Sequence, residues 1–155
     1  ALAAGLALGL VTLGRGRSAI GLADLQIDTV VAPAMGGITI GHEVARSLGI
    51  RFIFVEKEDN QLKLRRFKIR KGERFMIAED VVTRGTSLLE VIKCVEDAGG
   101  VVTGLTSIID RTGGEVGLPL PLHALAKVKV ETFQPDNCPL CADGVEVVKP
   151  GSRGN

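Results

Sequence analysis

Two adjacent carboxylates, Glu79 and Asp80, follow the apolar run Phe75 to Ala78. The chain then reads Val81-Val82-Thr83-Arg84-Gly85-Thr86-Ser87 before a stretch of helical spacing from about Leu88 to Ala98. An ionised carboxylate only accepts hydrogen bonds, so a neighbouring Glu and Asp suit the two hydroxyls of a ribose ring and can also position a hydrated magnesium ion. The start of a helix presents unpaired backbone N–H groups and the positive end of the helix dipole, which suit a phosphate. Thr83, Thr86 and Ser87 add hydroxyl donors, Arg84 adds charge, and Gly85 permits the turn. A sugar phosphate answers both halves. Taken singly, each residue is equally at home as a solvated strand end or a helix cap; the thirteen-residue string Phe75 to Ser87 is much harder to read that way. It is not the ATP-type loop, which ends in Gly-Lys-Ser/Thr. Because successive strand side chains point to opposite faces, both carboxylates reach one ligand only where the chain bends, and a bend is expected there.

The elements that must hold this string repeat strand, loop and helix. Ile27 to Ala34 is a β-branched run closed by Pro33 and Gly36-Gly37, a buried strand ending in a loop. Ile38, Val44, Ala45 and Leu48 recur at helical spacing, Gly49 is the stop, and Arg51 to Val55 is a second apolar strand. From Glu56 to Lys71 charge dominates, with Leu62 and Leu64 alternating with Lys63 and Arg65 as in an exposed hairpin arm. Further strands are expected over Arg74 to Ala78, Val101 to Ile109 and Ala126 to Thr132, with Leu118 to Leu122 as a Pro-rich connector. This alternation predicts an α/β fold, a mostly parallel twisted sheet with helices on both faces, and ligands at the strands' C-terminal ends.

The 155 residues, 45% apolar and with 20 glycines, fit one domain spanning 1–155. With 19 basic against 18 acidic residues the net charge is +1, so no overall field favours a nucleic acid or a membrane. Aromatic content is 3%, all of it Phe, which removes the stacking platforms of a single-strand binder. Three cysteines are too few for a disulfide framework and fit a reducing cytoplasm. Ala1 to Leu13 is apolar but shorter than the roughly 20 residues that span a bilayer, and it lacks a basic leader. Ala1 to about Leu10 reads as part of a buried helix, and a first residue other than Met leads us to expect a missing N-terminal segment.

The string Phe75 to Ser87 resembles the phosphoribosyl pyrophosphate (PRPP) signature of the type I phosphoribosyltransferases: apolar strand, Glu-Asp, two apolar residues, Thr, then a small Gly/Thr/Ser loop. It departs from that signature at Arg84, where Thr is usual, and at Thr86, where Gly is usual. Three further stretches, Val31 to Ile38, Ile108 to Gly114 and Val148 to Arg153, resemble the orotate-specific members of that family, so the likeness runs from about Asp28 to Arg153.

The resemblance implies the type I phosphoribosyltransferase fold with a protruding, flexible hairpin, and transfer of ribose 5-phosphate from PRPP to orotate with Mg2+ bound through PRPP and water. It places Ala34, Met35 and Gly36, together with Glu79, Asp80, Val81, Val82, Thr83, Arg84, Gly85, Thr86 and Ser87, against PRPP, and Thr83 and Arg111 against orotate. A guanidinium fork on the orotate carboxylate would reject bases that lack one. Lys57 and Asp80 are the catalytic pair it implies, Lys57 acting from the arm Glu56 to Arg70, which in the family closes over pyrophosphate, often in the neighbouring subunit of a homodimer. Arg65 and Arg66 are possible helpers there, and Glu56 stands where many relatives carry Arg. Family members carry an N-terminal segment that covers the base, and part of it is expected to be missing here. A phosphoribosyltransferase for another base and a non-catalytic PRPP-binding module remain the alternatives. His42, His123 and Cys94 read as structural. Cys138-Pro-Leu-Cys141 has the spacing of half a zinc site or a redox pair, but it lacks a second Cys/His pair.

Overall fold

The computed structural model of the chain describes residues 26–59, 61–114, 116–131 and 133–145. The helix expected over Ala1 to Leu10 and the stretch Val148 to Arg153 lie outside them. Among the described residues six strands form one sheet: β1 (Thr29–Pro33), β2 (Arg51–Glu58), β3 (Gln61–Lys63), β4 (Arg74–Val82), β5 (Val101–Asp110) and β6 (Leu122–Lys127), in the order β3-β2-β1-β4-β5-β6. All neighbours are parallel except β3, which returns antiparallel on β2. Helix α1 (Gly37–Leu48) joins β1 to β2, and α2 (Thr86–Asp97) joins β4 to β5.

The two helices cover opposite faces, and the period of two in the strands decides which residues each one meets. Val30, Met76 and Ala78 pack with Ile40, Val44 and Ala45 of α1. Val31, Phe75, Ile77 and Leu105 pack with Leu88, Val91, Ile92 and Val95 of α2. Each fully buried side chain of this size contributes roughly 1.5–3 kcal/mol relative to exposure. Gly49, at φ 68°, ends α1 as its spacing predicts. At the N-terminal ends of the central strands, buried Glu73 accepts from the hydroxyl of Thr29 (2.6 Å) and pairs with Arg51 (3.1 Å).

Three features differ from expectation. β4 continues through Glu79 and Asp80 to Val82, because β5 offers it a ladder as far as Val82–Asp110. The last strand is Leu122–Lys127 rather than Ala126 to Thr132, since Asp110–Lys127 is the last pair that β5 provides. The charged arm contains the expected hairpin, with Glu56, Lys57 and Glu58 opposite Lys63, Leu62 and Gln61. Its return does not protrude, because Leu64, Phe67 and Ile69 pack against the α2-side core.

Candidate active site

Strand order reverses at β1, whose neighbours β2 and β4 lead away in opposite directions. The chain leaving β1 enters α1 on one face and the chain leaving β4 enters α2 on the other, which opens a crevice at the strands' C-terminal ends. Loop Ala34 to Gly36 forms one wall, anchored by the Ala34 N–H donating to the Val55 carbonyl at 2.8 Å. The Ala34–Met35 peptide is cis, and Met35 is exposed. The segment Thr83 to Gly85 forms the other wall.

Between the walls stand the paired carboxylates. Beyond Val31–Ile77 β1 no longer pairs with β4, and the next amides turn to carboxylates instead. Asp80 N–H donates to Glu79 Oε1 at 3.1 Å, and Val81 N–H donates to Asp80 Oδ1 at 2.7 Å. Glu79 is buried on the α2 side, at 7% exposure. Asp80 lies on the α1 side against Gly36, where a Cβ would come within 2.5 Å of its Oδ2. Burial first, and then a hydrogen bond with the Asp80 carboxylate, push the Glu79 carboxyl up to about 8. The alternation of β4 breaks here, since Val82 packs on the same face as Phe75 and Ile77, and the ladder to β5 passes from Glu79–Ser107 to Val81–Ile109 without a pair at Asp80.

Beside Glu79 is a pocket of about 140 Å³ lined by Val81, Val82, Thr83, Arg84, Gly85, Thr86, Ser87 and Leu88. Gly85 holds φ 71° at its base, and a Cβ there would come within 2.7 Å of Val116 Cγ1. Among the described residues no side chain caps α2, so its first-turn N–H groups remain for a ligand. The pocket is thus small, polar and donor-rich, as a phosphate group requires.

Arg111 lies next to this loop, its N–H bonded to the Val82 carbonyl at 2.8 Å and its side chain exposed. The turn that carries it is closed by Thr112 N–H on Asp110 Oδ1 (2.8 Å) and Gly114 N–H on the Thr112 hydroxyl (3.0 Å). A second cavity of about 400 Å³ opens beside the turn, lined by Asp110, Thr112, Gly114 and Val116, by Leu118 to Leu122 and by Lys127.

Lys57 is exposed on β2, two positions past the Pro33–Val55 pair that ends β1, and so on the same edge as Ala34 to Gly36. Among the described residues it has no ion-pair partner. Arg66 is held by Glu56 at 2.6 Å and Arg65 by Glu58 at 3.0 Å, which occupies both of the guanidinium groups that the sequence offered as helpers. Reading the sequence missed Lys127, in register with Asp110, and Ser107, in register with Glu79. Ser107 is fully buried, and its hydroxyl has no partner among the described residues. The signal for it was the Thr106-Ser107 pair inside the strand.

Among the described residues no three His, Cys, Asp or Glu side chains gather around a metal position. Two carboxylates at most are on offer, which fits magnesium, an ion that keeps several waters and takes further oxygens from phosphates. None of the described helices is long and apolar enough to cross a membrane.

A phosphate-sized pocket at a helix start, beside paired carboxylates at a sheet's switch point, is the architecture of a sugar-phosphate transferase, and the model of the phosphoribosyl transferase domain family matches residues 17–116. The chain is 49% identical over 131 residues to an orotate phosphoribosyltransferase of Caldicellulosiruptor saccharolyticus, covering 84% of this chain and 69% of that protein. In fold it is similar to the orotate phosphoribosyltransferase of Aeropyrum pernix, with a TM-score of 0.62 and 23% identity over 80% of this chain and 71% of that one. It is equally similar to an adenine phosphoribosyltransferase of Thermoanaerobacter pseudethanolicus, with a TM-score of 0.64 and 20% identity over 79% of this chain and 78% of that one. The chain belongs to the phosphoribosyltransferases and, within them, to the orotate phosphoribosyltransferase family.

Proposed function

We propose that this protein transfers the 5-phosphoribosyl group of PRPP to orotate, giving orotidine 5′-monophosphate and pyrophosphate in the synthesis of UMP. The observation that carries the reading is the contact of Glu79 and Asp80 between the Thr83 to Ser87 pocket and the Ala34 to Gly36 loop. One sugar phosphate spans these features, with its 5′-phosphate in the pocket, its ring hydroxyls on the carboxylates and its pyrophosphate along the loop. The choice of base rests on Arg111 beside that pocket and on the 49% identity to a named orotate enzyme.

In this reading the backbone N–H groups at the start of α2, with the hydroxyls of Thr83, Thr86 and Ser87, hold the 5′-phosphate. Glu79 and Asp80 accept from the ribose hydroxyls and fix the ring so that C1′ faces the base. Asp80 favours the positive charge that builds on the ring as the bond to pyrophosphate lengthens, and Lys57 neutralises the departing oxygens. Arg111, with Thr83, grips the orotate carboxylate. Magnesium, carried on the phosphates and water, supplies further charge neutralisation of the leaving group. The exposed Lys57 at the edge of the crevice suits a homodimer in which the β2–β3 hairpin serves the partner's site, and free cysteines suit the cytoplasm.

The test is magnesium-dependent loss of orotate absorbance with PRPP, for the wild type beside Arg111→Ala and with adenine and uracil as alternative bases. Turnover of orotate alone, lost in the variant, supports the reading. Turnover of another base would overturn the orotate assignment, and PRPP binding with no turnover of any base would overturn catalysis.

A further inference from the structure

Cys138 and Cys141 stand far in sequence from the crevice and serve none of the chemistry above. They occupy one turn, in which Cys138 precedes the short helix α3 (Pro139–Ala142) and the Ala142 N–H donates back to the Cys138 carbonyl at 3.0 Å. Three residues apart in one helical turn, the two side chains lie on the same side of it. Cys138 is half-buried, Cys141 is exposed, and the apolar Leu140 between them is 57% exposed, so a reagent can reach the pair.

Two chemistries use a Cys-x-x-Cys pair. A structural zinc site needs four ligands, and among the described residues no third Cys, His, Asp or Glu joins these two. Thiol–disulfide exchange needs only two, one to attack and one to resolve. The environments divide those roles, since backbone N–H groups donated by the turn and the neighbouring thiol stabilise a thiolate on Cys138 and leave the proton on Cys141. Cys94, by contrast, sits half-buried on α2 with its thiol held up by burial.

We propose that Cys138 and Cys141 form a thiol–disulfide exchange site for small disulfides, with Cys138 the attacking sulfur and Cys141 the resolving one. The Cys138 thiolate attacks one sulfur of the reagent, forming a mixed disulfide and releasing one thiolate, which takes up a proton from water. Cys141 then gives its proton to solvent and attacks the Cys138 sulfur, expelling the second thiolate. The protein loses two hydrogens in becoming a disulfide, and the reagent disulfide is reduced to two thiols.

The experiment treats the full reduced chain with oxidised glutathione and follows intact and peptide masses over time. Wild type is expected to lose two hydrogens with no retained adduct, and Cys141→Ser to stop as a glutathione adduct on Cys138. Cys138→Ser should react about tenfold or more slowly, as a thiol without the donated N–H groups does. Adducts retained on both cysteines of the wild type, equal rates in the two variants, or Cys94 as the first residue modified would each overturn the assignment.

Discussion

Gly36 and Asp80 are in contact across the crevice, and the contact leaves no room for a side chain: a Cβ on Gly36 would lie 2.5 Å from Asp80 Oδ2 and 3.0 Å from its Cγ. Gly36 has φ −57°, so its glycine is required by space and not by backbone conformation. Gly36→Ala should therefore fold normally but turn the Asp80 carboxylate away from the ribose. The expected result is a rise in KM for PRPP of about tenfold or more, the equivalent of roughly 1.4 kcal/mol of lost binding, with an unchanged melting temperature. Steady-state kinetics alongside thermal melts check it. An equal loss in KM and stability would mean that Gly36 serves the fold instead.

Glu79 gives the unliganded protein a pH dependence of definite sign. Its folded carboxyl sits at about 8 against an ordinary value of 4.5, so between those values the native state binds more protons than the unfolded chain. Stability is then fully present below the ordinary carboxylate range and falls as pH rises through about 8. The loss should be on the order of a few kcal/mol, and Glu79→Gln, which cannot ionise, should flatten that slope. Urea unfolding without ligand across this range decides it; a slope that persists unchanged in the variant assigns the effect to another group.

The chemistry was legible in the sequence because it depends on residue types in a short contiguous run, and Glu79 to Ser87 form such a run. α1 and the strand pairs flanking it were legible for the same local reason, from apolar period and from Gly49. Strand ends were not. Val128-Lys129-Val130 alternates like a strand, yet the bond from Val128 N–H to the Asp110 carbonyl is the last that β5 provides it. Glu79-Asp80 reads like a strand end, yet β5 carries β4 on to Val82. In both cases the partner sets the limit, which the segment's own propensity does not encode. Charge likewise hid the packing of Leu64, Phe67 and Ile69, whose apolar sides face α2 while Arg65 and Arg66 find Glu58 and Glu56.

Lys57, Arg65 and Arg66 of the charged arm should separate sharply. Lys57 is exposed at the crevice edge with no ion-pair partner among the described residues, whereas Arg65 and Arg66 already answer acidic neighbours on β2. Lys57→Ala is expected to lower kcat by about 10²-fold or more with little change in PRPP affinity, the pattern of a group that acts on charge developing in the transition state. Arg66→Ala should leave both parameters near wild type. Single-turnover kinetics with isotopically labelled PRPP, compared with equilibrium binding, separates the two effects. Parallel losses in binding and turnover on removing Lys57 would make it a ground-state ligand only.

Gly85 should be the least replaceable residue of the phosphate pocket, for two separate reasons. It holds φ 71°, where an L side chain costs about 1–2 kcal/mol, and a Cβ there would approach Val116 Cγ1 to 2.7 Å. The strain alone would be shared with any left-handed position, such as Gly49 at φ 68°, which has nothing within 4 Å. Gly85→Ala and Gly49→Ala thus make a matched pair with similar backbone cost and different surroundings. Both should lower the urea midpoint by comparable amounts, with the larger drop at Gly85. Only Gly85→Ala should weaken PRPP binding, because moving Val116 or the loop disturbs the N–H groups at the start of α2. Calorimetric titration of PRPP into both variants tests this, and equal affinities would show that the pocket tolerates a shift at its base.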